Sequence, residues 1–287
     1  MKKIVSLLLV ALMLVTCFSL VACGDSEPKV KIIEIQLTQE EYAFVIKEGN
    51  TALKNDMNAF LAEIKENGEF QKIVDKYFKG EGEKVGYAVA GSGTSNTEGK
   101  FVVVTNCPFE PFEYLGSDGK IYGVDIEIAA AYAESRDLEL VIKNLPEFDS
   151  IFSEVDAGYA DIGMAGITVS ADREAVYDFT STYYNASQKI IVAADNTAVD
   201  NCKTAEDVEN VIKGLTDGTK FGYQNGTTGG MYVEGNEDWG YSGFANLNGK
   251  GYATALDAVN DLVNGNLYAV VVDEAPGNAI VKAINGD

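Results

Sequence analysis

The chain contains two arginines, Arg136 and Arg173. A guanidinium is a planar fork of donors that can grip a carboxylate through two parallel hydrogen bonds. Arg173 follows Gly166-Ile167-Thr168-Val169-Ser170-Ala171-Asp172, just past a run of strand character. A buried anion site can be built there, or Arg173 could instead be a surface arginine that caps a helix. Arg136 follows Glu134 and Ser135 at the end of a helical pattern and reads as a solvated charge. Asp273 closes the apolar run Ala269-Val270-Val271-Val272. An acid at the carboxyl end of a buried strand can hold a cation, or cap the helix that follows, or do both. Gln224-Asn225-Gly226-Thr227-Thr228-Gly229-Gly230 is a glycine-rich turn opening a helix. Its free N–H groups suit an anion, although such turns also serve only as caps. The chain has no histidine. That removes Ser-His-Asp and Cys-His catalysis and every histidine-ligated metal site. Acid–base work would fall to Asp, Glu, Lys or Tyr, and no such pair stands out.

Those residues must be positioned by alternating elements. Phe101–Thr105, Leu138–Ile142, Asp161–Ala165, Lys189–Ala194, Lys220–Tyr223 and Tyr268–Asp273 are β-rich and bounded by Gly, Asn or Asp. Helical patterns lie between them, at Val124–Ser135 and Tyr252–Val263 for example. Thr51–Glu66 puts Leu53, Met57, Phe60, Leu61 and Ile64 on one helical face. The alternation predicts α/β lobes with mainly parallel sheets. Residues 79–99, rich in Gly, Ser, Thr and Glu, read as a flexible linker.

The segment from Phe101 runs FVVVTNCPFEPFEYLGSDGKIYGVDIEIAAAYAE, then DIGMAGITVSADREAVYDFTSTYYN, KFGYQNGTTGG and AVVVDEA. As an ordered set these motifs resemble the bacterial family 3 solute-binding proteins, the amino-acid receptors of ABC importers. The resemblance covers nearly all of the chain beyond its N-terminal leader, except the linker. Its order is inverted. The closing strand and helices of such a protein stand in front, in Val30–Phe78, so joining Asp287 to Val30 would restore one unbroken domain. The chain therefore reads as a circular permutant of a two-lobe, type II periplasmic-binding-protein fold. Its first lobe is expected at 43–193, containing the linker 79–99, and its second at 30–42 plus 194–287. Hinges are expected at Ile191–Ala194 and Tyr42–Val45.

The resemblance also implies roles. Arg173 matches the family's carboxylate-binding arginine, and Asp273 should take the ligand ammonium. Thr168 should offer a hydroxyl or amide, while Ala165 and Gly166, which replace common serines, leave only main-chain contacts. Thr227 and Thr228 look like carboxylate and side-chain contacts. Phe109 and Phe148 match cleft aromatics, and Phe148 could equally be core. Asn106 stands where receptors for basic amino acids often carry an acid, which favours a polar or neutral amino acid. No cofactor or metal is implied. A sensing domain for a membrane partner, or a dehydratase-like enzyme on the same scaffold, are the alternatives.

The N-terminus reads as an address. Lys2 and Lys3 precede an apolar run too short for a mature membrane span. Leu20-Val21-Ala22-Cys23 resembles a lipobox. Residues 1–22 would then be a signal peptide, Cys23 the lipidated residue and 23–29 a tether at the outer face of the cytoplasmic membrane. With 22 basic against 44 acidic residues, the surface repels phosphate backbones, so nucleic acid is an unsuitable partner. The expected partners are a free amino acid and an ABC permease, with the protein a monomer. Cys107 and Cys202 could pair or stay free; no spacing rule supports a pair.

Overall fold

A computed structural model describes residues 27–91 and 93–286. The signal peptide and Cys23 lie outside the described residues. The first strands are β1 (Val30–Ile32), β2 (Glu40–Tyr42) and β3 (Val45–Lys47), followed by helices α1 (Thr51–Glu66) and α2 (Glu69–Phe78). Then come β4 (Lys100–Thr105), the short pair β5 (Tyr114–Leu115) and β6 (Ile121–Tyr122), α3 (Val124–Ser135) and β7 (Glu139–Asn144). Next are α4 (Ser150–Asp156), β8 (Ile162–Gly163), α5 (Ala171–Glu174), β9 (Tyr177–Phe179), β10 (Tyr184–Ala186) and β11 (Gln188–Ala193). The last group is α6 (Ala205–Lys213), β12 (Thr219–Gln224), α7 (Thr228–Glu234), β13 (Leu247–Tyr252), α8 (Ala255–Val263), β14 (Ala269–Asp273) and α9 (Glu274–Asn285).

The strands form two five-stranded sheets, one per lobe. One has the order β7-β4-β8-β3-β9, the other β1-β11-β14-β12-β13. Both are mixed rather than mainly parallel. In the first, β4 runs parallel to β7 and β8 while β3 is antiparallel to β8 and β9. In the second, β12 is parallel to β13 and β14 while β11 is antiparallel to β14 and β1. Each core is apolar and separate. Phe44, Ile46, Met57, Phe60 and Phe101 pack in the first lobe; Ile190, Val192, Phe221 and Val271 pack in the second.

The lobes are joined where β2 pairs antiparallel with β10, Tyr42 opposite Tyr184 and Glu40 opposite Ala186. This corrects the lobe boundary and one hinge expected from the sequence. The run Gln188–Ala193 is an interior strand of the second sheet, not the end of the first lobe. Its residues through Val192 are buried, as a strand covered on both faces requires. The crossing occurs about one strand earlier, at Tyr184–Ala186.

Helix boundaries follow their caps. The side chain of Asn50 accepts from Leu53 N and opens α1. Thr254 does the same from Asp257 N, so α8 starts at Ala255 and not at Tyr252. Gly123 precedes α3 at φ 139°, and a Cβ there would meet Phe112 O at 1.9 Å. Only glycine fits that turn.

The segment 79–99 departs from the flexible linker that its composition suggests. Tyr87 and Ile121 exchange backbone hydrogen bonds, both of 2.9 Å. Ala90 N donates to Ile142 O on the edge strand β7 at 2.7 Å, and Asn96 N donates to Asp161 Oδ1 at 2.8 Å. The segment is laid across the first lobe and covers part of a sheet edge. Its polar composition reflects exposed side chains over a bonded backbone. At the other end of the fold, Asn285 Oδ1 accepts from Lys29 N at 2.9 Å and Val30 N at 3.3 Å, and Asn285 Nδ2 donates to Val30 O.

Candidate ligand cleft

The carboxyl ends of β4, β8, β12 and β14 point into the crevice between the lobes, where open α/β sheets place their ligands. Asn106, Phe109, Phe148, Ala165, Gly166, Thr168, Arg173, Thr227, Thr228 and Asp273 all line one cavity there. Glu113 and Gln224 complete its wall. Among the described residues no group of His, Cys, Asp and Glu could hold a metal.

Arg173 sits on α5, a single turn just after the loop that leaves β8, and is buried. Its Nη1 donates to Thr168 O at 2.6 Å and its Nη2 to Gly226 O, on the opposite lobe, at 3.0 Å. Phe148 and Phe152 lie 5.6 and 5.1 Å from the guanidinium carbon. Phe148 is therefore both core and cleft: it packs with Ile151 and Val155 and faces the cation. Burial pulls the guanidinium pKa down. Among the described residues no carboxylate pairs with Arg173 within 4.0 Å. The result is a desolvated, rigidly held cation with donors to spare, which is what an incoming carboxylate needs.

On the second lobe Asp273 is buried, and its Oδ1 accepts from Tyr42 OH at 2.6 Å. It occupies the N-cap position of α9 but makes no side-chain cap bond. Burial, and then the nearby charge of Glu40, push its carboxyl pKa up. A ligand ammonium would relieve both effects. Thr227 precedes α7 and turns its hydroxyl to Gln224 O at 2.9 Å.

Three contacts differ from the expectation. The hydroxyls of Thr168 and Thr228 both donate to Glu40 Oε2, at 2.8 and 2.9 Å. Gly166 N donates to Asp125 Oδ2 at 2.9 Å, so its amide is engaged from behind the cleft. The cause in each case is a buried carboxylate that must find donors. Gly166 itself has φ 53°, and a Cβ there would lie 2.6 Å from the Phe109 ring, so a side chain cannot stand here without moving that ring.

Asn106 bridges the lobes. Its Oδ1 accepts from Gln224 Nε2 at 2.8 Å and its Nδ2 donates to Leu145 O at 2.8 Å. Glu113 is fully buried, and among the described residues neither carboxyl oxygen has a hydrogen-bond partner. Burial, and then Asp125, raise its pKa well above the usual range. Glu113, Gln224, Glu40 and Tyr42 escaped the sequence reading. Glu40 and Tyr42 share one face of an alternating run, a weak signal that was legible. Nothing in the sequence separates Glu113 from its exposed neighbour Glu110. Cys107 and Cys202 are both free thiols.

The space enclosed by these side chains is about 10 Å³, measured by the centres of water-sized spheres. That admits one water, so the lobes must part to admit anything larger. Two α/β lobes on a crossing pair of strands, closed over a cavity with a buried cation and a buried acid, have the architecture of a two-lobe binding protein. The particular family is equally plain. The chain belongs to the bacterial extracellular solute-binding proteins, family 3, whose family model matches residues 14–80 and 101–273. A probable histidine-binding protein of Neisseria gonorrhoeae is 28% identical over 189 residues, 65% of this chain and 63% of that protein. The ABC transporter arginine-binding protein 1 of Escherichia coli is 26% identical over 174 residues, 61% of this chain and 63% of that one. The chain thus spans less than two thirds of the length of either relative. Among solved structures, the arginine-bound truncated ArgBP of T. maritima aligns at 29% identity and a TM-score of 0.53, covering 64% of this chain and 78% of that one. The ancestral amino acid-binding protein AncCDT-1, a precursor of cyclohexadienyl dehydratase, aligns at 26% and 0.54, covering 64% and 75%. Among the described residues no helix is long and apolar enough to cross a membrane.

Proposed function

We propose that this protein captures a free amino acid outside the cell and hands it to an ABC importer. The observation that carries the reading is Arg173, a buried cation with no carboxylate partner among the described residues, facing Asp273 across one cavity. The α-carboxylate takes the guanidinium and the α-ammonium takes Asp273. Binding without chemistry is the favoured reading. The relatives compared here are named as binding proteins, including the precursor of a dehydratase. A thermal-shift screen of the twenty amino acids tests it. At least one should raise Tm and be recovered unaltered after long incubation; conversion of the ligand would instead support an enzyme.

For ligand class, the polar or neutral expectation rested on Asn106 lacking a charge. Glu113 now weighs the other way. The Asn106 amide is occupied by Gln224 and Leu145, whereas Glu113 places an unpartnered carboxyl in the same cavity. The histidine- and arginine-binding relatives agree in kind. An amino acid with a cationic side chain is the reading these observations support. A signal peptide and a lipid anchor at Cys23 would hold the receptor at the outer membrane face, consistent with the family's extracellular description. The circular permutation remains our proposal. It is supported by the clasp between Asn285 and Lys29–Val30, by the crossing of 79–99 over the first lobe, and by aligned lengths close to that of residues 101–287.

A further inference from the structure

We propose that a cationic ligand side chain enters this site in exchange for a proton carried by Glu113, so that binding releases one proton to solvent. The inference rests on the reading above that the site takes an amino acid. Glu113 is fully buried and lines the ligand cavity, yet both of its oxygens lack a hydrogen-bond partner. An ionised carboxylate in such a place would have no protein donor and room for one water at most, and the neutral acid is the favoured form.

Among the described residues no Lys or Arg donates to its carboxyl oxygens. Asp125, at the start of α3, is an acid whose charge raises the Glu113 pKa further. Burial raises the Asp125 carboxyl pKa too, to about 7, but Tyr183 OH and Gly166 N donate to it at 2.6 and 2.9 Å and pull the other way, so of this acid pair Asp125 ionises first. Two like charges this close favour a single proton between them, and it falls to the carboxyl without donors. Cys107, beyond the end of β4, and Tyr183, before β10, are buried groups whose pKa values are pushed up, so both stay neutral. Elsewhere in the cavity Asp273 is a further acid, and Arg173, whose spare donors await the ligand carboxylate, makes no ion pair with Glu113 among the described residues.

A guanidinium or ammonium arriving beside Glu113 changes the balance. The O–H bond of the acid breaks, the electron pair stays on the carboxylate, and the proton leaves to buffer as the cleft closes. The sign follows. A Glu113 pKa that is raised in the free protein and lowered in the complex makes affinity for a cationic ligand rise with pH between the two values, by at most about tenfold per unit. A neutral side chain leaves the Glu113 proton in place and shows only the slope that Asp273 gives every amino acid.

Calorimetric titration with arginine, lysine and glutamine at pH 7, in buffers of different ionisation enthalpy, tests this. The observed heat should vary with buffer for arginine or lysine with a slope about one proton larger than for glutamine, whose own slope reports Asp273 meeting the α-ammonium. In Glu113→Gln that excess should vanish and affinity for the cationic ligand should fall at least tenfold. Arginine or lysine binding with no more protons released than glutamine, or with the same excess in Glu113→Gln, would overturn the exchange alone. The wild-type slope needs no variant, so a misfolded Glu113→Gln cannot rescue the idea. Binding of neutral amino acids only would also overturn it. Failure of every amino acid to bind would sink the receptor reading as well.

Discussion

Arg173 is the group on which the site turns. Arg173→Ala removes the carboxylate's buried partner at a cost of about 3–5 kcal/mol. At about 1.4 kcal/mol per decade, affinity should fall at least a hundredfold by calorimetry. A loss below threefold in a folded variant would unseat the assignment. Asp273→Asn keeps the shape and still accepts from Tyr42 OH, but removes the charge. It should weaken amino acids strongly and deaminated analogues far less; equal losses for both would mark the acid as structural. Both residues were legible because each stands at the end of a strand-like run, one of them a scarce arginine. Glu113 was not, and Glu40 only weakly, since acids are abundant here and only tertiary packing separates a buried one from a solvated one. Cross-lobe contacts such as Asn106 with Gln224 are similarly invisible, because their partners come from opposite lobes.

Among the elements, the junction between β1 and α9 is the informative one. Three hydrogen bonds tie Asn285 to Lys29 and Val30. Asn285→Ala should cost about 1–2 kcal/mol. That corresponds to a Tm lower by a few degrees, with ligand affinity nearly unchanged. An unaltered melting curve would mean the clasp contributes nothing. Helix α1 was read correctly from its apolar spacing, and β11 was found within a residue of its ends. The lobe assignment of β11 was missed because a buried strand carries no mark of which sheet it joins. The linker was misread for a related reason: composition reports on side chains, while 79–99 is held through its backbone.

At the scale of the whole molecule, the proposed receptor is expected to open and close. Arg173 reaches Gly226, Gln224 reaches Asn106, and Thr228 reaches Glu40, so the two lobes and the crossing strand are hydrogen-bonded around a cavity with room for one water. Hinge motion about β2 and β10 should accompany binding. Small-angle scattering should show a larger radius without ligand than at saturation; equal radii would argue against a closing clamp. The permuted reading makes a separate demand. Because Val30–Phe78 complete the fold within one chain, the protein should bind ligand as a monomer by mass measurement. A ligand-binding dimer in which that segment crosses to a partner would instead indicate a domain swap.

The central claim is that a free amino acid is the ligand and that Arg173 and Asp273 hold its two charges. It is tested most directly by calorimetric titration of the wild type with each of the twenty amino acids. The expected result is saturable one-to-one binding of at least one of them, with its α-keto acid and its decarboxylated amine each bound at least tenfold more weakly. No binding by any amino acid at millimolar concentration, or equal binding of an analogue lacking one of the two charges, would contradict the account.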